Sequence, residues 1–511
     1  MKEQLIVRVV VRLFITIFSL LVSYFLLLKL NVELIGIIAF STSLIGLFTL
    51  FKDLGFGLIY FQHNSDKDFD EYFSIYFFLQ TVTTFINFTP LFVMIFFLNL
   101  EPLVFSFLFL KVIAELFLNL SLPWMTNLES RLKYIKLELV VLMINVVQYS
   151  LLLFLILNLE FVENPLIVLG QIYISISIIQ LIIVLFISRH EFQFNNINKE
   201  KFKQFLKDTR PLIMVTVIGA ILGNIGQVFI NVFFGLEALA YYYFADAYIV
   251  SILLVISGEI HQILLTYIPR ELKEENFGNT EMIVHKIEKF SSMFFLIIVI
   301  IVFLNGELLL NIFLPNYSQA IIYLYILIFI PYLSSINRPY SALLIPFKKQ
   351  KLSSSYTLVK SVIWTVLIFI LVPKELFSIK LLGLGSTGLA FIILSGHVVD
   401  VFFQRFFLKR IGINYEKKIL YHILSAAIAL FLTYVVSNFV LRFVIVNDLL
   451  YVLLTSGLIT GIFILILFVF KEITTEELKF FFTLLRVSAY KESLINEMKV
   501  KRKNNNSDEF K

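Results

Sequence analysis

The stretch PLIMVTVIGAILGNIGQVFINVFFGL, Pro211 to Leu236, contains no Asp, Glu, Lys or Arg. It is longer than the ~20 apolar residues that cross a hydrocarbon core. Lipid offers no hydrogen bonds to a bare backbone, so such a run is expected to be a helix that pairs its own N–H and C=O groups. Tyr72–Leu100, Asn164–Ser188 and Leu308–Asn337 are equally free of charge. Divided at all its apolar runs, the 511-residue chain gives fourteen spans. A composition that is 59% hydrophobic, 16% aromatic and 15% charged carries too much apolar surface for a water-soluble fold of this size. The expected class is therefore an all-α, polytopic membrane protein.

Charge sets the expected orientation. Counting Arg8 and Arg12 with the N-terminal end, all but seven of the 42 Lys and Arg fall at the two ends or in alternate connections. Lys29, Lys374, Lys380 and Arg442 lie on the other side, and Lys111, Arg338 and Lys360 lie inside spans. Cytoplasmic loops are the cation-rich ones, so both termini are expected in the cytoplasm, with the chain in a plasma or inner membrane. The net charge of +6 then reflects topology and anionic lipid rather than nucleic-acid binding. The first span, Leu5–Leu28, is too long for a signal core, carries Arg8 and Arg12, and lacks a small-x-small cleavage site.

The organisation reads as residues 1–188, a six-helix bundle; 189–210, a basic cytoplasmic linker; 211–410, a second six-helix bundle; 411–471, two further spans; and 472–511, a cytoplasmic tail. An amphipathic helix is expected around Glu476–Ala489, followed by a disordered end. Glu33-Leu34-Ile35-Gly36 and Glu237-Ala238-Leu239-Ala240 open corresponding spans of the two bundles. That correspondence fits a parallel pseudo-twofold with a substrate path between the halves; coincidence among apolar residues is the competing account. Outer connections are short, the longest expected near Asn305–Ser318, and none is long enough to fold as a domain.

Several chemistries are excluded. The chain has no cysteine, hence no disulfide, thiolate nucleophile or iron–sulfur ligand. His63, His190, His261, His285, His397 and His422 include no i, i+4 pair to grip a metal, so no metal, cofactor or catalytic residue is assigned. Gly383-Leu384-Gly385-Ser386-Thr387-Gly388 satisfies G-x-G-x-x-G, but that pattern binds dinucleotides only inside a βαβ unit. Here it opens a span, and a glycine turn with Ser386 or Thr387 as N-cap is the expected reading. No phosphate-loop lysine motif occurs.

Charges inside spans are costly and tend to be functional. Arg338, about ten residues from Lys348 and so about 15 Å deep, sits in Asn337-Arg338-Pro339 on a span that also holds Pro331 and Pro346. A proline-bent helix with a central guanidinium suits a moving phosphate; pairing with Asp246 or Glu115 is the structural alternative. Lys111 lies at similar depth and shares a helix face with Glu115, which makes it either a lumenal anion site or half of a simple pair. Asp246, beside Tyr241, Tyr242 and Tyr248, is a candidate for H⁺ or Na⁺ coupling, or a counter-ion for Arg338. Arg8 and Arg12 are placed to meet a diphosphate headgroup, or to snorkel to lipid phosphate. Asn224, Gln227 and Asn231 form a polar stripe on the seventh span, where Gly219 and Gly223 are expected to permit close helix approach. Glu259, His261 and Asp400 fall near cytoplasmic ends, where solvation is expected.

The chain resembles the polysaccharide flippase family, the Wzx-type O-antigen and exopolysaccharide transporters of the multidrug/oligosaccharidyl-lipid/polysaccharide exporter superfamily. The resemblance covers nearly the whole length. It rests on Leu34-Ile35-Gly36 with Leu54-Gly55-Phe56-Gly57, on the run from Phe229-Ile230-Asn231 through Gly235-Leu236-Glu237 to Tyr241-Tyr242, on Leu314-Pro315-Asn316-Tyr317, and on the Gly383–Gly388 turn. Two departures stand out: Gln227 replaces an acidic residue often found there, and Ala240 replaces a usual glycine. The first removes a coupling carboxylate and shifts that role to Asp246. The resemblance implies a V-shaped pair of six-helix bundles with a cationic cavity, moving a polyprenyl-diphosphate-linked oligosaccharide between leaflets by alternating access. Lys111, Arg338 and Arg12 would supply charge, and Asn224, Gln227, Asn231 and Tyr242 would face sugar. Implied partners are that lipid-linked glycan, membrane lipids, H⁺ or Na⁺, and other polysaccharide-assembly membrane proteins.

Two other functions compete. A small-molecule or drug antiporter of the same superfamily would favour an acidic cavity for cations. A membrane glycan polymerase or ligase would carry a sizeable cationic outer loop, which this sequence lacks.

Overall fold

A computed structural model of the chain describes residues 2–48, 54–63, 69–131, 134–189, 197–255, 257–258, 277–344, 350–410, 419–441 and 447–474. The first helices are α1 (Lys2–Lys29), α2 (Val32–Phe48), α3 (Phe56–Gln62), α4 (Phe69–Phe97), α5 (Pro102–Ser130), α6 (Tyr134–Leu157) and α7 (Pro165–Ser188). Next, α8 (Lys199–Tyr243) runs into a π-helical turn at Phe244–Val250. There follow α9 (Phe277–Phe313), α10 (Ile321–Leu327), α11 (Phe329–Leu344) and α12 (Gln350–Leu371), then a hairpin of β1 (Glu375–Leu376) and β2 (Ile379–Lys380). The last helices are α13 (Gly385–Arg410), α14 (Ile419–Val436) and α15 (Asp448–Val469). The expected amphipathic and disordered tail, Glu259 and His261 lie outside the described residues.

Among the described residues, ten helical segments are long and apolar enough to cross a membrane, and three shorter apolar helices join them: Phe14–Lys29, Val32–Phe48 and Ser355–Leu371. The protein is a multi-pass membrane protein. One segment, Thr216–Val255, is 40 residues long, about twice a bilayer crossing. Gly235 breaks it with φ 89°, a conformation that glycine adopts without a Cβ clash. Outward-facing side chains are large and apolar; Phe97, Phe154, Phe402, Phe431 and Phe439 are all mostly exposed, as a lipid-facing surface requires.

Local chemistry starts the helices where the sequence has Asn or Pro. The Asn31, Asn198 and Asn447 side-chain oxygens accept from the backbone N–H of Leu34 (3.2 Å), Glu200 (2.8 Å) and Leu450 (3.0 Å). Pro102 and Pro165 occupy first-turn positions, where a missing N–H costs nothing. The expected linker is helical from Lys199 onward. Glu71 on α4 accepts from Asn198 N–H (3.0 Å) and Lys201 Nζ (2.6 Å), and Phe205 is fully buried beside Phe56 and Tyr72.

Close helix packing falls on other glycines than expected. Gly219 and Gly223 meet no described atom within 4 Å. Instead α2 lies against α8 through Gly36 and Gly46: a Cβ on Gly36 would sit 2.3 Å from the Leu236 carbonyl oxygen, and one on Gly46 would sit 2.2 Å from Asn224 Oδ1. Gly226, one turn beyond Gly223, is the α8 glycine in tight contact, against Leu389 of α13. Small residues permit approach only where a neighbouring helix stands opposite.

The described residues fall into two compact units: Met1–Ser291 with Glu307–Tyr415, and Ser292–Gly306 with Glu416–Lys511. In the second unit, α14 and α15 pack together with the middle of α9. Asn305 is fully buried there, donating to Ser456 Oγ (3.0 Å) and accepting from Thr455 Oγ1 (2.9 Å). Asn305 therefore lies within α9 rather than opening an outer connection, because two hydroxyls satisfy its amide inside the protein. His422 and Ser292 meet in the same unit, Nδ1 to Oγ 3.0 Å.

Candidate functional site

The consecutive residues Ser41-Thr42-Ser43 interrupt an otherwise apolar α2. A hydroxyl survives there because it can return its proton to the carbonyl one turn back. Thr42 Oγ1 does so to Ile38 O (2.7 Å), and Ser43 Oγ to Ala39 O (2.8 Å). Their remaining capacity reaches other helices. Lys111 of α5 donates its ammonium to Thr42 Oγ1. The same ammonium lies 5.8 Å from the Phe107 ring centre and 6.0 Å from that of Tyr173, within cation–π range. Glu115 acts on Lys111 electrostatically, but among the described residues no carboxylate oxygen comes within 4 Å of the ammonium.

On the other side of α2, Ser43 Oγ lies 2.5 Å from Gln227 Oε1, which competes with Ala39 O for its one hydroxyl proton, and Gln227 Nε2 donates to Asp246 Oδ2 at 3.4 Å, a long bond. Asp246 sits in the π-helical turn, a local irregularity often found at functional sites. Tyr242 and Tyr243 are its electrostatic neighbours, and the Tyr243 hydroxyl also approaches Thr42. One cluster thus holds Lys111, Thr42, Ser43, Gln227, Asp246 and Tyr243. Of these, the sequence picked out Lys111, Gln227 and Asp246; the Ser41–Ser43 run was the available signal for the α2 hydroxyls.

The other expected site residues are placed as follows. Asn224 packs against Gly46, and Asn231 is half-buried further along α8. Tyr242 is fully buried with its ring 6.2 Å from Tyr323. Arg8 and Arg12 fall on α1, with side chains outside the described set. Arg338 lies apart from the cluster on α11, directly before the in-helix Pro339. It donates to Leu254 O (2.8 Å) and Ser257 Oγ (2.6 Å).

Two charge clusters on α9, α11, α12 and α13 are ion pairs. Lys360 Nζ contacts both oxygens of Asp400 (2.6 and 2.7 Å), and Tyr356 OH donates to the same carboxylate (3.1 Å). Asp400 is thereby corrected from a solvated residue to one 16% exposed and neutralised by its neighbour. Glu288, fully buried, accepts from Tyr340 and Arg405. Among the described residues no group of three or more His, Asp or Glu is arranged to hold a metal. At the glycine motif, Gly383 and Gly385 adopt φ 62° and 55° next to an antiparallel hairpin. Ser386 donates to Ala238 O (3.3 Å) instead of capping α13, because that carbonyl stands within its reach.

The fold is shared with solved transporters. A lipid II flippase MurJ structure in an inward closed conformation matches with TM-score 0.67 and 15% identity, covering 90% of this chain and 98% of that one. An inward-facing multidrug resistance MATE transporter of the MOP superfamily matches with TM-score 0.61 and 14% identity, covering 80% and 99%. A MOP superfamily transporter from Pyrococcus furiosus, described as having a binding pocket of reverse polarity, matches with TM-score 0.52 and 13% identity, covering 80% and 94%. Curated proteins give no match by sequence. The model of one family matches residues 30–323, more than half of the 511-residue chain, and the chain therefore belongs to the polysaccharide biosynthesis protein family.

Proposed function

We propose that this protein is a flippase that carries a polyprenyl-diphosphate-linked oligosaccharide from the inner to the outer leaflet for surface polysaccharide biosynthesis, by alternating access. The observation that carries the reading is Lys111: a cation among apolar helices, held by a threonine hydroxyl and two aromatic faces. A charge so costly to bury, with no contacting carboxylate among the described residues, suits an anion that arrives and leaves. Sugars and diphosphate cannot cross hydrocarbon unaided, so a carrier must supply polar groups and positive charge inside while the lipid tail stays in the bilayer.

In this reading Lys111 and Arg338 hold the diphosphate at different stages, and Arg8 and Arg12 receive it at the inner leaflet. Asn224, Gln227, Asn231 and Tyr242 meet the sugars. Asp246, with Glu115, couples transport to H⁺ or Na⁺. Fourteen spans, two six-helix halves and cytoplasmic termini complete the arrangement.

The test is flipping of a fluorescent polyprenyl-diphosphate glycan in proteoliposomes. Wild type is expected to flip it, and Lys111→Ala and Arg338→Ala to lose flipping while remaining in the membrane at normal levels. Wild-type rates in Lys111→Ala would overturn the role of that residue. A second reading, export of organic cations, is favoured by Asp246 with Tyr242 and Tyr243 beside it, a carboxylate within aromatic rings. Uptake of a lipophilic fluorescent cation into the same vesicles, lost in Asp246→Asn and indifferent to Lys111→Ala, would select it.

A further inference from the structure

Adjacent residues of α2 touch the two oppositely charged ends of the buried cluster. Thr42 receives Lys111, and Ser43 reaches Gln227, which donates to Asp246. Tyr243 lies beside both Thr42 and Asp246. One chain of contacts therefore runs from the carboxylate through Gln227 to Ser43, and Tyr243 stands beside both Asp246 and the Thr42 that receives Lys111.

Ser43 has one hydroxyl proton and two acceptors in range, Ala39 O at 2.8 Å and Gln227 Oε1 at 2.5 Å, so it occupies one of two discrete states. While Asp246 is a bare carboxylate it draws the Gln227 amide N–H, which leaves Gln227 Oε1 facing Ser43. Once a proton or Na⁺ neutralises Asp246, that pull is gone and Ser43 can return its proton to Ala39. Gly36 and Gly46 seat α2 directly on the Leu236 backbone and the Asn224 side chain of α8, the helix that carries Gln227. A change in the Ser43 hydrogen bond thus falls one residue from the Thr42 oxygen that receives Lys111.

We infer that Thr42 and Ser43 form a positioning relay through which cation occupancy at Asp246 and anion occupancy at Lys111 control each other. The inference rests on the proposed flippase reading for the roles of those two charged residues. Linkage makes the effect reciprocal: an ion bound at Asp246 must change diphosphate affinity by the same factor as diphosphate changes ion affinity. The charged and titratable groups around this path are Lys111 and Glu115 on α5, Tyr173 on α7, and Tyr242, Tyr243 and Tyr248 around Asp246.

The experiment measures binding of geranyl diphosphate, a short water-soluble prenyl diphosphate, to the purified full-length protein in detergent. One arm is a pH series without Na⁺; the other is a Na⁺ titration at fixed pH, which separates proton from sodium occupancy. Wild type is expected to change its affinity by about fivefold or more in one arm. Ser43→Ala is expected to bind with an affinity that no longer varies in that arm. Thr42→Val is expected to bind more weakly and without coupling, and Thr42→Ser to restore both. Full coupling in folded Ser43→Ala, judged by a single monodisperse peak, overturns the relay and leaves the flippase reading standing. Wild-type affinity in Lys111→Ala overturns the anion site itself, and the relay with it.

Discussion

Lys360 and Lys111 are both half-buried among apolar helices, and they are held in opposite ways. Lys360 on α12 lies against both oxygens of Asp400, with Tyr356 on the same carboxylate and the Trp364 ring 4.4 Å from its ammonium. Lys111 on α5 meets a hydroxyl and two ring faces, and no described carboxylate oxygen lies within 4 Å. A lysine engaged by both oxygens of a carboxylate has little left for a ligand, and removing either partner strands the other. A lysine held by a neutral oxygen keeps its charge available. Two cations of similar burial thus differ in the chemistry of what holds them, and the proposed function rests on that difference.

The comparison breaks most sharply in transport. Lys111→Ala is expected to cut flipping of a polyprenyl-diphosphate glycan about a hundredfold, as for loss of one member of a buried charge-assisted contact, with little change in melting temperature. A large loss of thermal stability in that variant would make Lys111 as structural as Lys360. The mirror experiment is Lys360→Ala, expected to destabilise the protein by about 3 kcal/mol because Asp400 is left without its ion-pair partner. The double variant Lys360→Met, Asp400→Leu is expected to recover most of that loss, and thermal melting of the set in detergent reads both results.

Smaller effects sharpen the packing around the cluster. Gly36→Ala forces a methyl onto the Leu236 backbone and is expected to cost about 1–3 kcal/mol, whereas Gly219→Ala changes stability by less than about 1 kcal/mol. Equal melting temperatures would show that α2 can move off α8 freely, removing the basis for transmission from Ser43 to Thr42. The least effect is expected from Lys201→Ala at the start of α8. Lys201 is somewhat more exposed than Lys360, 23% against 14%, and Glu71 keeps the Asn198 N–H when the lysine is removed, so the loss is expected to be on the order of 1 kcal/mol.

Much of this was legible in the sequence. Charge-free runs such as Pro211–Leu236 declare membrane helices, because lipid leaves the backbone no alternative. Lys111, Gln227 and Asp246 stood out because polar groups are expensive in such runs. Gly219 and Gly223 misled, since a glycine is informative about packing only when the opposing surface is known. Asp400 misled for a related reason: its place near a helix end said nothing of Lys360 on another helix. Thr42 and Ser43 were passed over because hydroxyls that satisfy themselves on their own helix look inert until a partner reaches them.

The sequence by itself determined the membrane class, the all-helical architecture and the list of costly charges inside apolar runs, since each depends on residues close together in the chain. The tertiary structure alone decided which lysine meets a carboxylate and which meets a hydroxyl. It also decided which glycines carry the α2–α8 contact and that one pair of hydroxyls lies between Lys111 and Asp246. Coulomb and hydrogen-bond energies fall off within a few ångströms, so those outcomes depend on distances between residues far apart in sequence.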